Sequence, residues 1–395
     1  MRTILQMFIF FVVLMGLPDW YIYRTYIRRC TQWVRRLYWL PTLLLLLGMI
    51  IIFGMFEPRP QAMTRLTLYL IILLCFCVPK AIFALFSLLF RFIERKTGRG
   101  FHGSWIAGGI ALYIMGYLIF GATEGKEHFQ VKEVGIASPD IPEGFDGYRI
   151  VQLSDIHSGS WTGNPEGLQK AVDKINALQP DLIVFTGDLV NNLATELDEF
   201  IPVLSRLKAK DGIYSVLGNH DYSLYIHWED EKDRLANLES LKAKEAAMGW
   251  KLLVNDHVKL YHEGDSIALI GVENSGNPPF PDLADLQGAM KGTDSLFKIL
   301  LSHDPSHWRR EVLPDTDIQL MLAGHTHAMQ IKLFGFSPSK FVYPEYEGLY
   351  EENGQKLYVN IGLGYLLFPM RLGAWPEITL LTLKSTSPLS SGETK

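Results

Sequence analysis

The spacing of hydrophobic positions changes near residue 125. Before that point, short polar loops separate four apolar segments: residues 3–17, 37–56, 66–89 and 105–122. About 20 apolar residues cross the hydrocarbon core of a bilayer, and buried helices of soluble proteins keep a polar stripe that these segments lack. The pattern predicts about four transmembrane helices within residues 1–123. The first segment is expected to remain as a span, because Gly16-Leu17-Pro18-Asp19 offers no signal-peptidase site.

Beyond that region the apolar positions form short runs between polar turns. Residues 124–145 predict a linker and a first strand, residues 146–384 an α/β (α+β) domain, and residues 385–395 a disordered tail. Two stretches have helical spacing, 165–178 and 227–248. Strand-like runs end at Leu153, Phe185, Leu217, Leu301 and Leu322. These alternations predict layers of sheet and helix, but they do not distinguish one doubly wound sheet from two packed sheets.

Charge divides the chain at the same place. Residues 1–125 hold 13 Lys/Arg against 4 Asp/Glu, a balance of +9, whereas the remainder holds 24 against 38, a balance of −14. An acidic domain repels polyanions at long range, so DNA and RNA are disfavoured as substrates.

Basic residues in the membrane part predict its orientation. They concentrate in the first loop and in the third loop, where Arg91, Arg95, Lys96 and Arg99 lie. Cytoplasmic loops carry an excess of Lys and Arg, so both loops are expected inside, and the acidic domain and both chain ends outside. Lys80, directly after Pro79, is expected to mark a break or an end of the third helix.

Five short polar blocks in the acidic domain each follow a strand-like run. They are Ser154-Asp155-Ile156-His157, Gly187-Asp188, Gly218-Asn219-His220-Asp221, Ser302-His303-Asp304 and Gly324-His325-Thr326-His327. Their oxygen and imidazole donors suit Mn, Fe or Zn better than Ca or Mg. The donors suffice for two neighbouring metals, an arrangement common in phosphoester hydrolysis. The blocks therefore predict a phosphohydrolase.

In order and in content, these blocks resemble the calcineurin-like metallophosphoesterase superfamily. The later segments Asn360-Ile361-Gly362-Leu363-Gly364 and Pro369-Met370-Arg371-Leu372-Gly373 resemble its bacterial membrane-associated branch. The resemblance implies a four-layer β-sandwich flanked by helices, here preceded by transmembrane helices. It also implies two divalent ions. The first would be held by Asp155, His157, Asp188 and His327, and the second by Asp188, Asn219, His303 and His325.

The same resemblance implies a catalytic mechanism. A hydroxide bridging the metals would attack phosphorus, and His220 would stabilise the transition state or protonate the leaving group. Asp221 would orient an imidazole. One departure is Ala328-Met329-Gln330 after the last histidine, where the branch often has Gly-Gly-Gln. This change affects the expected loop shape and substrate fit, and no proposed ligand is lost.

The expected function is hydrolysis of a phosphomonoester, phosphodiester or pyrophosphate at the outer face of a bacterial inner membrane. Tethering to the bilayer favours a lipid or cell-envelope substrate. Two alternatives remain at this point, a membrane sensor without turnover and a nuclease, which the acidic balance disfavours. Oligomeric state is left open. Arg371 is expected to contact phosphate or to form an internal ion pair. Four aromatic residues are expected in the core rather than at a lipid-accepting cleft: Trp161, Phe334, Phe336 and Phe341.

Overall fold

The computed structural model describes residues 2–54, 60–100, 102–366 and 368–386. The chain divides into two compact units. The first, which we call the membrane unit, comprises residues 1–125 with 367–370, and the second, the catalytic unit, comprises residues 126–366 with 371–395. Most of the predicted disordered tail lies outside the described residues.

The membrane unit is helical. Its helices are α1 (Arg2–Ile22), α2 (Gln32–Gly54), α3 (Pro60–Thr97) and α4 (Gly103–Thr123). Three described stretches are long and apolar enough to cross a bilayer: Gln32–Ile52, Leu68–Thr97 and Gly103–Thr123. A fourth span over residues 3–17 stays a prediction.

The break expected at Lys80 is wrong, because α3 continues through Pro79 and Lys80 to Thr97. Lys80 forms an ion pair with Asp19, which is fully buried, and the hydroxyl of Tyr38 donates to the same carboxylate at 2.8 Å. Pairing removes the cost of an isolated charge inside an apolar bundle, so the helix does not need to end there.

The catalytic unit contains two six-stranded sheets. One, sheet A, has the order β1-β12-β2-β3-β4-β5, and the other, sheet B, has the order β10-β11-β9-β8-β7-β6. The strands of sheet A are β1 (Gln130–Ser138), β2 (Arg149–Leu153), β3 (Leu182–Phe185), β4 (Ile213–Ser215), β5 (Trp250–Leu252) and β12 (Glu377–Ser385). Those of sheet B are β6 (Asp256–His262), β7 (Asp265–Gly271), β8 (Phe297–Leu301), β9 (Leu320–Ala323), β10 (Gly348–Glu352) and β11 (Gln355–Val359).

Helices cover the outer faces of both sheets. They are α5 (Pro165–Ala177), α6 (Ile201–Leu204), α7 (Glu231–Ala247), α8 (Leu286–Ala289) and α9 (Leu313–Asp315). One apolar cluster, which includes Ile150 and Leu301, fills the space between the sheets. A second packs α5 against sheet A, and a third packs Trp308 against sheet B. The four-layer α/β sandwich is confirmed, and the alternative of one doubly wound sheet is wrong.

Burial of both sheet faces explains the continuous apolar runs in the sequence. Along β2, Ile150 faces the interior between the sheets, whereas Val151 and Leu153 face the helices. Trp161 is buried as expected. The core role expected for three phenylalanines is wrong, because they are exposed: Phe334, Phe336 and Phe341.

Candidate metal centre

All five polar blocks lie just beyond the carboxyl ends of parallel strands. Blocks after β2, β3 and β4 come from sheet A, and those after β8 and β9 come from sheet B. Sites in α/β proteins form at such strand ends, because loops from neighbouring parallel strands meet there. The seven predicted ligands converge in one buried place and form two groups.

The first group comprises Asp155, His157 and His327, whose donor atoms lie within 4.8 Å of one another. The two imidazole Nε2 atoms are 3.0 Å apart, and the Nε2 of His327 lies 3.3 Å from Oδ1 of Asp155. Asp155 and His157 are fully buried. Three donors directed at one point are typical of a cation site.

The second group comprises Asp188, His303 and His325, within the same 4.8 Å limit. The Nδ1 of His325 lies 3.2 Å from the Nε2 of His303, which lies 3.1 Å from Oδ1 of Asn219. Asn219 therefore belongs to this group through its amide oxygen. Its Nδ2 donates to the hydroxyl of Tyr225 at 2.7 Å, which fixes the side chain with the oxygen towards His303.

Asp188 contacts both groups through one oxygen. Its Oδ2 lies 3.2 Å from the Nε2 of His303 and 3.6 Å from the Nε2 of His157. Its Oδ1 accepts a hydrogen bond from the backbone amide of His220 at 2.8 Å. Oδ2 is thus directed between the two groups, where a carboxylate could be shared by two cations.

The electrostatics of the site favour positive charge. Burial acts to raise the pKa of Asp188, but the imidazoles of His303 and His220 outweigh it and hold that pKa well below its usual range. Burial acts to lower the pKa of His303, yet the carboxylates of Asp188 and Asp155 raise it to about 10. Ionised carboxylates beside imidazoles favour a cation here, whether a proton or a metal. Oxygen and nitrogen donors in this arrangement fit two divalent ions such as Mn, Fe or Zn.

His220 lies at the edge of the two groups. Its Nδ1 donates to the carbonyl of Asn191 at 2.8 Å, and its ring packs against those of Tyr225 and His157, with centroids 4.4 and 4.9 Å away. With Nδ1 committed to a carbonyl, the neutral ring carries a lone pair on Nε2. Only the imidazolium form can therefore donate a proton from Nε2.

The expectation that Asp221 orients an imidazole is wrong. Its Oδ2 accepts from the amides of Asp188 and Gly218, both at 2.9 Å, and its Oδ1 accepts from those of Leu189 at 2.9 Å and Val190 at 3.2 Å. Burial and the Asp188 carboxylate raise the pKa of Asp221 to about 7, while the N–H groups of Gly218 and Val190 oppose this rise. Asp221 ties the loop after β3 to the loop after β4.

Among the described residues, Arg371 forms no hydrogen bond to a carboxylate. This fully buried guanidinium donates to the carbonyls of Gly364, Ala374 and Ile361 at 2.7 to 2.9 Å. Its Nη2 also lies 3.2 Å from Nδ1 of His327. The internal ion pair expected for Arg371 is therefore wrong. The guanidinium instead holds the backbone that carries these three carbonyls behind His327.

Sequence reasoning missed several residues that fix the imidazoles. The carbonyl of Thr186 accepts from Nδ1 of His303 at 2.7 Å, and the hydroxyl of Tyr343 lies 2.7 Å from Nε2 of His325. Tyr225 supports both Asn219 and His220. A backbone carbonyl carries no sequence signal. The two tyrosines lie in loops whose residue types match no ligand pattern, so only the fold reveals them.

Backbone strain is concentrated in the same loops. Five of the predicted ligands have left-handed backbone angles, with φ between 48° and 74°: Asp155, His157, Asp188, His325 and His327. Residues with a side chain adopt this region at an energetic cost, and such residues cluster at functional sites. Gly187 has a φ of 94°, and a Cβ there would lie 2.6 Å from the amide nitrogen of Gly218, so only glycine fits.

Comparison with known proteins now decides the family. The profile of the calcineurin-like phosphoesterases matches residues 148–329, and one described as "Probable Calcineurin-like phosphoesterase, transmembrane domain" matches residues 1–126. The chain is 34% identical over 313 residues to the uncharacterized metallophosphoesterase YkuE of Bacillus subtilis, covering 75% of this chain and 98% of that protein. The chain belongs to the calcineurin-like metallophosphoesterase family.

Similar proteins also occur in vertebrates. The chain is 33% identical over 285 residues to a transmembrane protein with metallophosphoesterase domain from Danio rerio, covering 70% of this chain and 62% of that protein. A protein of the same name from Bos taurus is 30% identical over 344 residues, covering 82% and 73% respectively. Together with the three candidate spans, these matches identify a membrane-associated member of the metallophosphoesterase family.

Proposed function

We propose that this metallophosphoesterase hydrolyses a phosphoester or pyrophosphate bond with two divalent metal ions. The observation that carries the proposal is the position of Asp188, whose Oδ2 lies between the two donor groups. Asp155, His157 and His327 would hold one ion, and Asn219, His303 and His325 the other. When bound, the ions would activate water and neutralise charge on the phosphoryl group.

The other residues of the site support this chemistry. The fixed ring of His220 would present Nε2 to the phosphoryl group or to the leaving oxygen, and in the imidazolium form it would donate a proton there. Asn219 contributes a neutral oxygen, so the negative charge that the ligands place around the ions is limited to the carboxylates of Asp155 and Asp188. Asp221 would keep Asp188 in position through the backbone rather than take part in the reaction.

The membrane unit supports a proposal for the substrate class. A catalytic unit confined near a bilayer meets lipid-borne molecules at a raised effective concentration. We therefore propose a lipid or cell-envelope phosphoester. The balance of −14 in residues 126–395 disfavours nucleic acid.

The test uses full-length protein in nanodiscs, loaded in turn with Mn, Fe or Zn, and a panel of soluble, lipid and nucleic-acid phosphoesters. We expect hydrolysis by the parent, none by Asp188→Asn, and about 10²–10⁴-fold slower turnover by His220→Ala. His227→Ala alters an exposed histidine later in the same loop, between β4 and α7, and is the matched control. Hydrolysis unchanged in Asp188→Asn would refute the two-metal proposal. Failure of the metal-loaded parent on every substrate would instead support a sensor.

We also propose that the catalytic unit faces away from the cytoplasm, at the bacterial inner membrane. The support is the excess of Lys and Arg in the first and third loops. Reporters fused after Lys395 test this orientation in cells. Alkaline phosphatase is active only outside the cytoplasm, so its fusion should show phosphatase activity. Green fluorescent protein exported in unfolded form does not fluoresce, so its fusion should show no fluorescence. The opposite pair of results would overturn the proposed orientation.

A further inference from the structure

In one surface segment beside the metal centre, apolar side chains are exposed and polar side chains are buried. We call residues 329–342 the aromatic loop. Phe334 is fully exposed at 108% and Phe341 at 83%, whereas Ser337 and Ser339 are fully buried. Four further apolar side chains of the loop are at least 40% exposed: Met329, Leu333, Phe336 and Val342. Contiguous exposed apolar surface of this kind marks an interaction site.

The exposure does not come from a lack of structure in the loop. Ser337 donates from Oγ to the carbonyl of Ala328 at 2.6 Å, and Leu333 and Phe336 exchange two backbone hydrogen bonds of 2.9 Å. The amide of Lys332 donates to Leu372 at 2.7 Å. The loop is thus held from inside by polar groups while its phenylalanines project outwards.

Both ends of the aromatic loop reach the metal centre. It begins two residues after His327 and is followed directly by Tyr343, whose hydroxyl lies 2.7 Å from Nε2 of His325. The rings of Phe280 and Tyr343 lie against His325, with centroids 4.8 and 5.4 Å away. Whatever the loop binds is therefore brought beside the site.

We infer that the aromatic loop inserts into the interfacial layer of the lipid bilayer and that the site accepts a phosphoester carried by a lipid in that bilayer. The second part rests on the proposed function. A bilayer is the occupant because the same chain carries membrane spans, and only residues 124–129 separate the end of α4 from the start of β1. This short tether keeps lipid at high effective concentration.

The chemistry of the loop suits an interface between water and lipid. Apolar side chains bury at the boundary between headgroups and acyl chains. Lys340, also exposed, can extend its ammonium group to lipid phosphates while its methylene stem lies along apolar surface. An internal role would have placed the phenylalanines inside and the serines outside.

Bilayer contact is tested by fluorescence quenching, without any measure of activity. Full-length Phe334→Trp is reconstituted in nanodiscs of phosphatidylcholine and phosphatidylglycerol, with or without bromine on the acyl chains. The fluorescence of the nine native tryptophans is measured on the parent protein and subtracted. Tyr261→Trp, at a position 71% exposed on β6, is the matched control. We expect brominated lipid to quench the tryptophan at 334 and to leave that at 261 unchanged. Equal quenching at both positions, or none at 334, overturns the inference.

The lipid substrate is tested with the double variant Phe334→Asp, Phe341→Asp and the control Tyr261→Asp. In vesicles, phosphatidic acid, a monoester, and phosphatidylglycerol, a diester, are each compared with the soluble ester of the same type, p-nitrophenyl phosphate or bis(p-nitrophenyl) phosphate. The double variant should hydrolyse the lipid phosphoester roughly tenfold or more slowly and the soluble ester at the parental rate, with the control like the parent. Equal loss on both esters, or a parent that hydrolyses only the soluble ester, overturns the lipid assignment. A parent that hydrolyses neither defeats the proposed function and leaves the quenching result intact.

Discussion

Replacement of Asp221 by asparagine separates a structural role from a chemical one. The carboxylate accepts four backbone hydrogen bonds, two on each oxygen. Asparagine keeps one oxygen and turns an NH₂ group towards two amide donors, so two buried N–H groups lose their acceptor. Each such loss costs about 1–3 kcal/mol, or roughly 2–6 kcal/mol in total.

For a unit of this size, about 1 kcal/mol shifts the unfolding midpoint by roughly 2–4 °C. We therefore expect the midpoint of Asp221→Asn to fall by roughly 4–24 °C. The measurement is thermal unfolding of the full chain in detergent at pH 8, above the pKa of Asp221 of about 7. Asp198→Asn, which changes an exposed carboxylate, serves as control and should shift the midpoint little.

The reasoning would be refuted by a midpoint equal to that of the control. If turnover nevertheless fell, Asp221 would act on the reaction itself and not through the stability of the fold. If the midpoint falls and metal content falls with it, the carboxylate acts by holding the loop that carries Asp188.

Three further predictions concern buried polar groups. Burial raises the pKa of the Glu245 carboxyl from 4.5 to about 8. Between pH 4.5 and about 8 the folded state therefore keeps a proton that the unfolded state has lost, so the free energy of unfolding declines as the pH rises. Glu245→Gln should flatten that decline in thermal scans from pH 5 to 9, and parallel profiles would contradict this. Arg371→Met leaves three buried carbonyls without their donor and should destabilise the protein by about 3–5 kcal/mol. Elemental analysis should also show a loss of metal. Unchanged metal content would exclude a role of Arg371 in supporting His327. Tyr225→Phe removes the hydroxyl that holds the side-chain amide of Asn219, so it should weaken the binding of one of the two metals about tenfold. A metal titration measures this affinity, and an unchanged affinity would show that the hydroxyl does not position Asn219.

The sequence predicted those elements whose pattern is local. The run from Arg149 to Leu153 is a strand, and the amphipathic stretch that starts at Pro165 is helix α5. The hairpin between β6 and β7 turns at Glu263-Gly264, where both residues have positive φ. The ligand blocks were visible because they follow strand ends, where α/β folds build sites.

Long-range features could not be predicted in this way. The division into two sheets depends on which strands pair across distant parts of the chain, such as β1 with β12. The partners of Asp221 were missed because backbone amides are the same in every residue. The pattern places Phe334 in the core because hydrophobicity alone does not distinguish a buried apolar side chain from an exposed one.

The position of β12 has a consequence for biosynthesis. This C-terminal strand lies between β1 and β2, where its residues Glu377 to Ser385 pair in parallel with Gln130 to Ser138. The ribosome therefore synthesises the membrane helices and strands β1 to β11 before it synthesises β12, the strand through which β1 joins the rest of sheet A. Sheet A closes only once β12 has been made, and a product truncated before Glu377 would leave the edge of β2 open to other chains. Residues 377–385 thus set the point in synthesis after which sheet A can close around its first strand.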